Sequence, residues 1–163
     1  MIEILFNETA ELRRELDTFL IAQREFSPYQ HSAWRKAVNE AYGFAAGVIT
    51  YRENQQLLGF LPFNQVRDPL GRSQIVSLPF CDVGGAIAVN AAVTEQLEHA
   101  LIQLGTPVAR GCELRQLAAS TTDDAQLIGQ KVTMQLTLPT SSSELLASYA
   151  PKLRSQIKKA EKN

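Results

Sequence analysis

The chain has 163 residues, 45% of them apolar, and a formal net charge of −1. That length suits one domain, able to bury roughly 70% of the surface its unfolded chain exposes, so a core can form without disulfides or a structural metal. No run of about 18 apolar residues exists, which excludes a spanning helix; Glu3, Glu8 and Glu11 at the start exclude a secretory signal; and Cys81 and Cys112, the only cysteines, match no zinc-ligand spacing.

In chain order, residues 2–6 read as a short strand. Asn7 is placed to cap a following helix, in which Leu12, Leu16, Phe19 and Leu20 recur at helical spacing to about residue 23. Ser27-Pro28 breaks the chain. A second helix starts near Ser32, shows Trp34, Ala37, Val38 and Ala41 on one face, and stops at Gly43. Residues 46–52 and 57–66 read as strands of a hairpin turning at Asn54-Gln55. Pro62 predicts a bulge or an edge there, because proline cannot donate to a ladder.

Asp68-Pro69-Leu70-Gly71 is a turn, 74–78 a strand, 79–85 a structured loop and 86–89 extended again. Asn90 caps a helix ending at Gly105, with Val93, Leu97, Ala100, Leu101 and Leu104 as its apolar stripe. Strands are expected at 113–117 and 132–138. A helix then runs from about Ser143, is interrupted at Pro151, and resumes as a basic segment. The order predicts an α+β fold with a mixed, mainly antiparallel sheet flanked by helices.

Four stretches carry groups that could do chemistry. In Ser77-Leu78-Pro79-Phe80-Cys81-Asp82-Val83-Gly84-Gly85, Asp82 could hold a hydroxyl or ammonium. Gly84 and Gly85 there allow positive φ or a ligand close to the backbone; the plainer reading is a tight turn with Asp82 capping its own backbone. In Pro28-Tyr29-Gln30-His31-Ser32-Ala33-Trp34-Arg35-Lys36, a helix start could take an anion, helped by Lys36 or Arg35. There the plainer reading is a core Trp34 and a packing or capping His31.

Glu113-Leu114-Arg115 puts an acid and a base on one strand face, where they pair with each other or line a cleft. Finally, residues 151–163 hold Lys152, Arg154, Lys158, Lys159 and Lys162 against Glu161, a local +4 that leaves −5 on the remainder. Such a row grips phosphate or RNA, or is an ordinary solvated helix face. No phosphate loop, nucleophile elbow or local triad is present, so the catalytic residues are not legible.

Taken in order, Ser32-Ala33-Trp34-Arg35, Gly59-Phe60-Leu61-Pro62, Ser77-Leu78-Pro79-Phe80 with Asp82 and Gly84-Gly85, Glu113-Leu114-Arg115 and Lys152-Leu153-Arg154-Ser155-Gln156-Ile157 resemble the FemAB-like branch of the GNAT-related acyltransferases. Within it, the exosortase/PEP-CTERM-associated FemAB-related proteins of exopolysaccharide systems are the most similar. The resemblance implies a GNAT-like amino-terminal domain at 1–150 and a basic helix at 151–163 leading towards a second GNAT-like domain of the same chain.

It implies, further, the acceptor-binding half of an aminoacyl or acyl transferase of cell-wall or exopolysaccharide biosynthesis, inactive by itself; the cytoplasmic location is expected instead from the two cysteines, read as reduced thiols, and the lack of a secretory signal. A nucleotide- or lipid-linked saccharide or peptide is the implied acceptor. Tyr29, His31, Trp34, Lys36, Asp82, Gly84, Gly85, Arg115 and Arg154 are the implied substrate-binding residues, with Lys36 on an acceptor phosphate and no metal. The coenzyme A pyrophosphate loop of ordinary GNAT enzymes has no counterpart here. No cofactor is therefore expected in this domain, and the donor, aminoacyl-tRNA or acyl-CoA, is expected only for the full-length protein. Two further readings stay open: a non-catalytic carbohydrate or nucleotide-sugar module, and a tRNA contact through the basic end helix. The whole account depends on the Asp82 loop and the Trp34 helix sharing one groove.

Overall fold

The computed structural model describes residues 1–23, 26–108, 110–116 and 136–162. The chain forms two compact units, Met1–Ile128 and Gly129–Asn163.

The first unit is built on a sheet whose strands run in the order β1 (Ile2–Phe6), β2 (Ala45–Glu53), β3 (Gln56–Arg67), β4 (Ser73–Val76) and β6 (Cys112–Glu113), with β5 (Ile87–Ala88) also pairing β3. All pairings are antiparallel except β4 with β6. Helices α1 (Ala10–Ile21), α2 (Ser32–Tyr42) and α3 (Ala91–Gly105) flank the sheet. This is the expected α+β class, with a mixed, mainly antiparallel sheet.

The alternation of side chains along β2 and β3 sorts the core into two layers. Ile49, Leu61 and Phe63 face α3 and meet Val93, Leu97, Ala100 and Leu101. Val48, Phe60 and Leu57 face the other way and meet Leu16 and Leu20 of α1. Burial on both faces explains why 57–63 is a nearly unbroken apolar run. The β2–β3 hairpin turns at Asn54 (φ 48) and Gln55 (φ 67), left-handed positions that suit a two-residue turn.

Several expectations need correction. Asn7 is not the cap of α1; Thr9 is, accepting from the Leu12 N–H, while Asn7 takes a left-handed conformation at φ 67. Pro62 is not at a bulge but at a local edge, paired on one side only. It pairs with Val48 of β2, and on its other side it falls between Gly59–Phe60, paired with β5, and Asn64–Arg67, paired with β4. Its missing donor therefore breaks no ladder on that side. Of the expected α2 stripe only Val38 is buried; Trp34, Ala37 and Ala41 are exposed, and Arg35 is the helix's other buried residue. The strand expected at 113–117 is shorter, Cys112–Glu113, and Leu117 lies outside the described residues. Most of the strand expected at 132–138 also lies outside them, and Leu136 and Leu138 are exposed and not in a strand.

The second unit holds α4 (Ser142–Ser148), capped by Ser141, and α5 (Pro151–Ala160), with proline in its first turn where no N–H is needed. Among the described residues no helix is long and apolar enough to cross a membrane.

Candidate functional site

The stretch before α2 is fixed by its own sequence. Ser27 and Gln30 form a reciprocal capping box: the Tyr29 N–H donates to the Ser27 hydroxyl, and the Ser27 N–H donates to Gln30 Oε1 at 2.8 Å. The rest of the Gln30 amide is buried, and its Nε2 donates to the Gly85 carbonyl at 2.8 Å. One side chain thus ties the start of α2 to the glycine pair.

Two more contacts follow along α2 itself. The Trp34 indole N–H faces the Cys81 thiol, and the Tyr42 ring lies 4.6 Å from that of Phe80. The 80–85 loop therefore runs alongside α2 from Tyr42 back to Gln30. On the loop's other side, Arg115 Nη1 donates to the Cys81 carbonyl at 3.2 Å, its N–H donates to Ser77 Oγ at 3.0 Å, and its carbonyl accepts from the Gly84 N–H at 2.8 Å. Arg115 Nε pairs with Glu113 at 2.7 Å, the structural pairing open from sequence.

Trp34, Asp82, Gly84, Gly85 and Arg115 are accordingly brought together, with Tyr29 against Trp34 at a ring distance of 5.0 Å. Asp82 is exposed at the loop's surface. His31 acts as a cap: its Nδ1 accepts from the Ala33 N–H. The helix start is not vacant for an outside anion. Asp17 of α1 accepts from the Ser32 N–H at 2.9 Å and from the Ser32 hydroxyl, so an internal carboxylate already meets the α2 dipole.

Gly84 and Gly85 are closely packed. Neither has positive φ, and a Cβ would strike Leu78 at Gly84 and the Gln116 side chain, 3.0 Å away, at Gly85. The strained residue is Phe80, whose φ of 64 costs a non-glycine residue about 1–2 kcal/mol. Its neighbours Pro79 and Cys81 are buried, and the left-handed backbone turns the Phe80 ring out to 57% exposure.

Lys36 does not join this group. Two positions beyond Trp34, it is rotated about 200° around the helix. It lies at a cavity of about 200 Å³ also lined by Arg13, Arg35, Glu8, Glu40 and Phe44. Lys36 stands 3.6 Å from Glu40 and is largely exposed. Arg35 is 5% exposed and meets Glu8 at 2.9 Å. Burial pushes the Glu8 carboxyl up and the Arg35 guanidinium down despite that contact. Arg154 belongs to α5, in the second unit, with Lys152, Lys158 and Lys159.

Sequence reasoning missed two features. Arg35, a candidate anion ligand by sequence, is core. The aromatic cluster of Tyr42, Phe44 and Phe80 joins distant stretches, and its one local signal was Gly43, whose φ of 66 sends Tyr42 and Phe44 to the same side. Burial pushes the Cys81 thiol up, which opposes a thiolate nucleophile, and among the described residues no group of His, Cys, Asp and Glu could hold a metal ion.

The fold is that of an α+β domain in which the 79–85 loop packs against α2. No family model and no curated protein matches the chain. Among solved structures it is similar to a ribosomal-protein-alanine N-acetyltransferase from Brucella melitensis biovar Abortus 2308, at 14% identity and a TM-score of 0.49 over 83% of this chain and 99% of that one. It is similar also to a probable acetyltransferase, at 15% identity and a TM-score of 0.49 over 87% of this chain and 99% of that one. At this level neither likeness assigns a role to any residue.

Proposed function

We propose that this chain is the acceptor-binding domain of a FemAB-like aminoacyl or acyl transferase of cell-wall or exopolysaccharide synthesis. One observation supports the reading: of the residues of the sequence resemblance, Trp34 of α2 meets the loop of Cys81, Asp82 and Gly85, which Gln30 ties to the helix start and Arg115 braces from behind. A nucleotide- or lipid-linked saccharide or peptide lies along this surface. The donor, aminoacyl-tRNA or acyl-CoA, is held with a second domain of the full-length protein. The cationic row of α5 contacts tRNA in that assembly. Holding acceptor and donor together supplies about 7–11 kcal/mol of such a barrier by positioning alone.

Calorimetric titration of the 163-residue chain with a uridine-diphosphate-linked sugar-peptide tests this. Saturable binding that survives moderate salt is expected. Absence of binding at millimolar ligand contradicts it, and RNA binding that falls steeply with salt moves the function to the basic helix. A second reading, a non-catalytic carbohydrate or nucleotide-sugar module, is favoured by the exposed aromatic cluster; it predicts sugar binding without dependence on pyrophosphate.

A further inference from the structure

Strand β1 ends the sheet, and among the described strands β2 is its one neighbour. The Met1 and Arg52 backbones exchange two hydrogen bonds, at 2.6 and 2.9 Å, and the Asn7 N–H donates to the Ala46 carbonyl. Pairing alternates along an antiparallel strand, so Met1, Glu3, Leu5 and Asn7 turn their backbone groups to β2. Ile2, Ile4 and Phe6 turn theirs outward, where no described strand receives them.

Edge strands are commonly guarded by lysine, proline or a bulge, because an open ladder pairs with another chain. Strand β1, Ile2-Glu3-Ile4-Leu5-Phe6, has none of these, and its register on β2 is unbroken. The side chains of Ile2, Ile4 and Phe6 share the α3 face of the sheet. Ile2 packs on the core there, and Phe6 meets Phe63 edge-on at 5.4 Å. Ile4 is nonetheless 40% exposed and Phe6 51%. Open backbone groups and open apolar side chains thus coincide on one short segment.

We propose that β1 pairs antiparallel with β1 of a second copy of this chain, about a two-fold axis at Ile4, so that one sheet runs through the dimer. The occupant follows from the strand's own symmetry. In that register Ile4 of one copy faces Ile4 of the other, and Ile2 faces Phe6. All three outward residues then exchange both their hydrogen bonds, and their apolar side chains meet on the α3 face. On the opposite face Glu3 lies against Leu5, so no like charges are opposed. Sliding by two residues one way sets Glu3 against Glu3; sliding the other way leaves Ile2 without a strand partner. A two-fold pair is closed, so the contact ends at two copies. Five residues a side make a small interface, below about 1,200 Å² in all, which is that of a weak dimer. The proposal goes beyond the acceptor reading and does not rest on it.

The test is sedimentation velocity of the 163-residue chain over a wide concentration range, with amide exchange followed by NMR. The average mass should rise from that of one chain towards that of two and level off there. Exchange at Ile2, Ile4 and Phe6 should slow as concentration rises, while Glu3 and Leu5, already bonded to β2, change little. Ile4→Lys sets two like charges together at the axis. Ile4→Pro removes an N–H that β2 does not use. Each should raise the dissociation constant at least tenfold, with an unchanged circular dichroism spectrum.

The mass of one chain at every concentration overturns the proposal. So does a dimer that both variants leave unchanged, or a mass that climbs without levelling at two copies. Should the variants lose the fold, the wild-type amides decide: concentration-dependent slowing at Ile2, Ile4 and Phe6 upholds the pairing, and exchange independent of concentration overturns it.

Discussion

Gln30 Nε2 donates to the Gly85 carbonyl at 2.8 Å, with the Gln30 side chain 2% exposed. Buried amides are costly unless paired, so this bond holds the 79–85 loop to the start of α2 and excludes other loop positions. Gln30 also accepts from the Ser27 N–H, which makes it the hinge pin of both segments. Gln30→Ala should lose about 1–3 kcal/mol, the usual cost of stranding buried partners. Urea denaturation would measure the loss, and amide exchange at residues 84 and 85 should rise more than at β2.

Asp17 supplies the anion of the α2 amino terminus from a different helix. Asp17→Ala should cost about 0.5–2 kcal/mol, the range for loss of a helix cap. Helical content should fall at α2 while α3, capped by its own Asn90, is unchanged. Carbon chemical shifts of residues 32–36 would show it.

The Glu8–Arg35 pair should behave as a buried ion pair that is poorly repaid. Burial moves both groups towards their neutral forms, so desolvation outweighs their attraction. Glu8→Leu should cost about 3–5 kcal/mol, because the buried Arg35 guanidinium over the Phe60 ring loses its paired carboxylate. The double change Glu8→Leu with Arg35→Met should recover most of that loss. Thermal denaturation of both variants decides the matter.

Asp68 gives a signed pH effect. Its carboxylate accepts from the Leu70 and Arg72 N–H groups, the Arg72 Nε and Arg110, and the Arg72 backbone N–H leads in holding it down at about 2 against an ordinary 3.8. A carboxyl held low in the folded state stabilises above its unfolded value. That contribution should vanish as pH falls from about 3.8 to about 2. In Asp68→Asn the denaturation midpoint should lose this part of its pH dependence.

Much of the fold was legible because its signals are local. Gly43 ends α2, Asn90 starts α3, and Asn54-Gln55 closes a hairpin, each through a conformation or cap that a few residues specify. The site was legible only in part, because burial on α2 is decided by what packs on it. Helical spacing allowed Trp34 to lead the apolar face, yet Glu8 and Phe60 draw Arg35 inward, and the Cys81 loop holds Trp34 at the surface. Likewise Gly84 and Gly85 looked like ligand glycines. Their closeness is to Leu78 and Gln116, a tertiary fact that no local pattern encodes.

Trp34 is the only tryptophan in the chain, so its indole N–H is a single, assignable NMR signal beside the Cys81 loop. Titration with the uridine-diphosphate-linked sugar-peptide should shift this signal together with the Gly84 and Gly85 amides, all at one dissociation constant. Binding that shifts other residues and leaves these three unmoved would place the acceptor elsewhere and remove the shared surface of α2 and the Asp82 loop from the account.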